Sequence, residues 1–117
     1  MSYADGMLCA VPDGKKEEFL AVSRAMAAVF KEFGATSVVD CWGDDIPDGK
    51  LTSMPMAVKA EPGETVVLSW ITWPDKAARD AGWEAAMQDP RMAPDATPMP
   101  FDGKRLIMGG FEVVHEA

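Results

Sequence analysis

The chain has 117 residues, 48% of them apolar and 26% charged, the composition of one folded domain that can build a core without metal or disulfide staples. Its formal net charge of −8 argues against nonspecific binding to nucleic acid or to an anionic membrane surface, both of which need basic patches. No apolar run approaches the roughly 20 residues of a membrane span, and no basic segment followed by an apolar stretch signals export, so a reducing cytoplasmic setting is expected.

A first strand is predicted over residues 3–11, ending at Pro12. Asp13 then reads as the N-cap of a helix running to about Phe33. Phe19, Val22, Met26, Val29, Phe30 and Phe33 recur at the spacing of one buried helical stripe, and Gly34 supplies a stop. Residues 36–42 form a second, β-branched strand. A loop over 43–63 follows, interrupted by the short apolar stretch 54–58. The third strand covers 64–73. Pro74 and Asp75 open a second helix, which Pro90 stops near Asp89. Its many small residues, from Ala77 to Ala86, predict close approach of its backbone to a sheet. A proline-rich connection leads to a final strand over 105–115.

The order β-α-β-β-α-β is that of the ferredoxin-like α+β plan, with residues 1–117 as a single domain. It implies a four-stranded antiparallel sheet with the first and third strands central and both helices on one face. The strands, however, are apolar on both parities. Val66, Leu68 and Trp70 alternate with Val67, Ile71 and Trp73; Leu106, Met108 and Val114 alternate with Ile107, Phe111 and Val113. Continuous apolar runs mean both faces are covered, and two helices cover only one. The missing layer is expected to be a second copy, giving a homodimer whose sheets close into a barrel. Gly6, Gly109 and Gly110, within strands, predict bulges or bends. Cys9 and Cys41 lie in strands separated by a third, so both are expected as free thiols.

Several segments then resemble the YbaA-like family of small uncharacterised bacterial proteins. These are residues 40–50 (DCWGDDIPDGK), 56–60 (MAVKA), 69–71 (SWI), 89–92 (DPRM) and above all 99–112 (MPFDGKRLIMGGFE). The resemblance spans essentially the whole chain and implies a dimeric α+β barrel. The wider barrel superfamily includes cofactor-free monooxygenases of quinol-like aromatics, haem-degrading enzymes, lactone isomerases and stress-response proteins. Shared fold does not choose among them.

The residues themselves narrow the chemistry little. The single histidine, His115, is the third residue from the end, and no matched set of zinc ligands is visible. Asp44, Asp45 and Asp48 lack calcium-loop spacing and read as a solvated turn. No phosphate-cradling glycine motif occurs. No metal or cofactor is therefore implied. Polar or aromatic residues set in apolar strands carry more promise: Asp5, Asp40, Trp42, Ser69 and Trp70. A carboxylate in such a setting must be paired, neutralised or kept near water. Asp5 is expected to pair with an arginine or lysine or with a turn amide, and the same structural pairing is the competing expectation for Asp40, while Arg79, beside Asp80, is expected in solvent. Asp40 is the candidate proton acceptor, aimed into a cavity between the two sheets, where lost solvation would raise its titration. Trp42 and Trp70 would wall that cavity, and Ser69 and Arg91 would contact its ligand, a small and largely apolar molecule. The competing expectations are a non-enzymatic binding or stress-associated protein with a filled barrel, and an interaction module using the 43–63 loop.

Overall fold

A strand dominated by β-branched, aromatic and aliphatic residues, Glu64–Trp73, is the one around which the rest is built. The computed structural model describes residues 2–96 and 98–117. Its strands are β1 (Tyr3–Pro12), β2 (Ser37–Trp42), β3 (Glu64–Trp73) and β4 (Ile107–Glu112), joined in one sheet of order β2-β3-β1-β4. Every neighbouring pair is antiparallel. Asp5 stands opposite Ile71, and Asp40 opposite Ser69. Because side chains alternate, Tyr3, Asp5, Met7, Cys9 and Val11 share a face with Val67, Ser69, Ile71 and Trp73 and with Val38, Asp40 and Trp42.

That face carries the helices. Helix α1 (Lys16–Glu32) buries Phe19, Val29 and Phe30 of its predicted stripe. Its start differs from expectation. Asp13 opens a short 3₁₀ turn, and its carboxylate accepts the Thr65 hydroxyl instead of capping α1. The end is as predicted. Gly34 takes φ +112°, its N–H reaches the Lys31 carbonyl, and the Ala35 N–H reaches that of Phe30. Between β2 and β3 lies α2 (Met54–Ala57), a single turn capped by the Ser53 hydroxyl at 3.1 Å from the Met56 N–H. Helix α3 (Lys76–Gln88) starts on a true cap, with Asp75 accepting from the Ala78 N–H at 2.8 Å. The small residues of α3 have the expected consequence at Gly82. A Cβ there would lie 2.3 Å from the Trp73 ring and 2.9 Å from the Phe33 carbonyl, so the helix backbone sits directly on the indole.

Strand β4 is shorter than predicted at both ends. Arg105 is drawn off the sheet by Glu64, at 2.7 and 2.8 Å, and by the Lys59 carbonyl at 2.9 Å. At the other end the ladder closes with Tyr3 opposite Glu112, and one further bond follows, from the Val113 N–H to the Ser2 carbonyl at 3.0 Å. The strand glycines produce no bulge. Gly6 and Gly109 are register partners, and a Cβ on them would lie 3.3 and 3.6 Å from the Phe111 ring. They make room for an aromatic side chain.

The opposite face is only half covered. Segment 43–63 folds over one end, seating Val58 and Ile46 against Ala10 and Val66. Beyond it, Leu68 is 39% exposed and Phe111 61%. Gly6, Leu8, Met54, Leu68, Ile107 and Phe111 line an open apolar groove there. No helix among the described residues is long and apolar enough to cross a membrane.

Candidate functional site

The helix-bearing face contains a cavity of about 100 Å³ between the sheet and α1. Its walls are apolar: Met7 and Ile71 from the sheet, Phe19, Met26 and Phe30 from α1, and Met99, Phe101 and Leu106 from the connection before β4. The same α1 stripe that builds the core therefore also bounds the cavity, because residues three, four and seven apart share one face.

The polar side chains lining it are Asp40, Ser69, Ser23 and the Cys9 thiol. Asp40 and Ser69 meet because β2 and β3 pair in that register. The Ser69 hydroxyl donates to one Asp40 carboxylate oxygen at 2.6 Å. Among the described residues, no lysine or arginine pairs with Asp40, and its second oxygen has no hydrogen-bond partner. Cys9, buried behind it, has its thiol pushed up to about 11 by burial and by the nearby charge of Asp40. At neutral pH it is a protonated, unreactive thiol. The site thus offers one hydrogen-bond-accepting carboxylate, fixed by a cross-strand hydroxyl, at the edge of an apolar hollow.

Of the residues singled out from sequence, Asp40 and Ser69 come together here. The hollow lies between sheet and helix, not between two sheets as expected, and Asp40 is exposed at its mouth rather than enclosed. Trp42 is on the same face beside the cavity, its ring 6.3 Å from that of Phe19 and 5.2 Å from the Lys16 ammonium. Trp70 points to the opposite face, since it shares parity with Leu68. Arg91 lies at the surface, holding Asp89 at 2.8 and 2.9 Å and also bonded to Glu32, so it ties the end of α3 to the end of α1. That is the anchoring role its fork geometry fits. Met99, Phe101 and Leu106 were not foreseen as walls. Their only sequence signal is that apolar residues recur through a proline-rich connection.

A second polar centre lies along the same face. Asp5 is fully buried and accepts three hydrogen bonds, from the Trp73 and Trp83 indoles at 2.9 and 2.8 Å and from Arg79 Nε at 3.0 Å, with Arg79 Nη2 in ion-pair contact at 2.9 Å. Arg79 is therefore not the solvated helix residue that its neighbour Asp80 implied. Its guanidinium turns inward and stacks 5.2 Å from the centre of the Tyr3 ring. A Cβ at Gly110 would lie 2.9 Å from Arg79 and 2.4 Å from the Tyr3 hydroxyl, so that glycine keeps the space open. With both carboxylate oxygens engaged and no access to solvent, Asp5 holds β1, β3 and α3 together and is closed to a ligand.

Residues 2–103 match the family model described as "Protein of unknown function (DUF1428)". The chain belongs to this family. It is 52% identical over 114 residues to the "Uncharacterized protein YbaA" of Escherichia coli, covering 97% of each chain. The protein of the same name from Shigella flexneri matches to the same extent. The resemblance read from residues 99–112 is thus a family membership, and the family description assigns no activity.

Proposed function

We propose that this protein is a homodimeric small-molecule-binding protein in which each subunit holds a small, largely apolar ligand between its sheet and α1. Asp40 accepts a hydrogen bond or a proton from the ligand. The observation that carries this reading is the partner-free Asp40 oxygen at the edge of an otherwise apolar hollow. Water-filled polar clefts and fully packed cores both lack that combination. Ser69 holds the carboxylate in place, and the α1 stripe with Phe101 and Leu106 shapes the ligand's body. Trp42, adjacent to this wall, reports occupancy by its fluorescence. If the ligand has an acidic proton, Asp40 is placed to remove it, which is the requirement of cofactor-free oxygenase or isomerase-like chemistry.

Dimerisation rests on the half-bare face. Leu68, Ile107 and Phe111 are exposed on it, β4 is an edge strand, and Leu51 on the neighbouring segment is 95% exposed. An apolar sheet face beside an open edge is an aggregation hazard unless something covers it. A second copy applying the same face would complete the ferredoxin-like plan as an α+β barrel. It would bury on the order of 2,000 Å², the scale of obligate dimers. Sedimentation at micromolar concentration is expected to give the dimer mass, and Phe111→Glu to shift it to monomer. A well-behaved monomeric parent removes the barrel. The ligand-binding reading is tested separately, by screening quinol-like and lactone-like compounds against the parent and Asp40→Asn. Binding by both with turnover by the parent alone supports an enzyme. Binding by both without turnover supports a binding protein.

A further inference from the structure

We infer that the cavity's preferred ligand is a small primary amine bound as its ammonium ion, with an apolar body no larger than a single ring. This rests on the small-molecule-binding reading above and adds the ligand's charge and size. Three observations converge on it.

The first is charge. Asp40 has no cationic partner among the described residues, whereas Asp5, Glu64, Asp80, Asp89 and Asp102 all have one. A carboxylate beside low-dielectric walls with no counter-ion attracts a cation and disfavours an anion. Cys9, which lines the same hollow, has its thiol pushed up by burial first and by the negative charge of Asp40 second. The net charge of −8 adds to it at longer range.

The second is hydrogen bonding. An ammonium group has three N–H donors and no acceptor. Asp40, Ser69 and Ser23 are among the residues lining the cavity, and a carboxylate and two hydroxyls can each accept. A neutral alcohol fits the same carboxylate but uses one donor and gains no charge interaction. A carboxylic acid in its ionised form meets repulsion and finds no basic side chain.

The third is size. The hollow of about 100 Å³ is smaller than the apolar cavities of roughly 150 Å³ that admit benzene, though it is open at one side. Its walls at Met7, Met26 and Met99 are unbranched and adaptable, so a ring or a branched chain enters with modest rearrangement. Larger aromatic bodies do not fit without displacing Phe101 or Leu106.

The test uses three probes of one shape: benzylamine, benzyl alcohol and benzoate, titrated at neutral pH into protein labelled with ¹³C at the methionine methyls. Met7, Met26 and Met99 report the cavity, and Met54 and Met56 report the other face. Benzylamine is expected to shift the first set and to bind about fivefold more tightly than benzyl alcohol, the upper range for an exposed ion pair. Benzoate is expected to be weakest. In Asp40→Asn, which keeps the side chain's size, amine and alcohol are expected to bind equally. About 1 M salt is expected to reduce the preference in the parent, which provides the same readout without a substitution. Equal affinity for amine and alcohol in the parent, or a preference that survives Asp40→Asn or high salt, overturns the ammonium inference while leaving the cavity standing. Shifts confined to Met54 and Met56, or no shift with any probe, overturn the cavity reading itself.

Discussion

Asp5 and Asp40 are the same residue type, on the same face of the same sheet, and they do opposite things. Asp5 is inaccessible to solvent and takes two indole N–H groups and the Arg79 fork. Asp40 sits on the edge strand β2, takes one hydroxyl, and keeps an oxygen free. The difference comes from what packs above each. Over Asp5, α3 arrives close enough to deliver Trp83 and Arg79, because Gly82 lets it rest on Trp73. Over Asp40, α1 presents a stripe of apolar residues and Ser23, so nothing neutralises the carboxylate. A buried charge survives only when its partners are supplied, whereas one beside solvent survives without them. The first arrangement builds structure, and the second leaves a chemical group available.

That contrast is most severely tested at Asp5. Asp5→Ala strips two indoles and an arginine of their acceptor, and a loss of about 3 kcal/mol is expected by urea denaturation, in the range for breaking a buried pair. A loss below about 1 kcal/mol would mean that the partners find water and that Asp5 is not the anchor described. Next in size is Gly82→Val, which pushes α3 away from Trp73. A loss of about 1–3 kcal/mol is expected from overpacking, with a change in near-ultraviolet dichroism as both indoles move. Unchanged dichroism would separate the seat of α3 from the Asp5 network.

The thiol behind Asp40 gives a smaller, pH-dependent effect. Cys9 stays protonated in the folded chain up to about 11, against 9.0 for an ordinary thiol. Between those values the unfolded chain has lost a proton that the folded chain keeps, so stability falls as pH rises through that window. Cys9→Ala is expected to flatten this alkaline slope. Thiol-specific labelling of the native protein at neutral pH should modify the half-buried Cys41 well before Cys9; the reverse order would place Cys9 in an open, activating setting. The smallest effect is expected for Asp40→Asn, within about 0.5 kcal/mol of the parent in denaturation, since the side chain is exposed and the amide oxygen can still accept its one part-buried hydrogen bond from Ser69. A large destabilisation there would make Asp40 a second Asp5 and remove it as a ligand-binding group.

The sequence made the sheet legible through the doubly apolar parity of residues 64–73, and β3 falls on those bounds. It made the helices legible through the α1 stripe and the Asp75–Pro90 frame. Asp40 and Ser69 stood out as polar groups in apolar strands, but nothing in their spacing of 29 residues said they would touch. Register joined them. Trp70 was grouped with them by its neighbourhood in the chain, and the two-residue period of a strand sends it to the far face. Arg79 was misjudged for a similar reason: Asp80 is adjacent in sequence and does bind it, but the stronger claim comes from Asp5, 74 residues away.

Local patterning determined which segments are strands and which are helices, because propensity, periodicity and terminators act over a few residues, whereas the ends of β4 and the start of α1 were set by partners far off in the chain. It also determined that one sheet face would want a cover that the helices do not provide. The tertiary structure alone decided which of two strand aspartates is sealed by Arg79 and which is left open beside a hollow. It also placed that hollow under α1 rather than between sheets. Those outcomes depend on helix-to-sheet distance and cross-strand register, set by contacts between residues far apart in the chain, where a single glycine at position 82 matters more than any neighbouring motif.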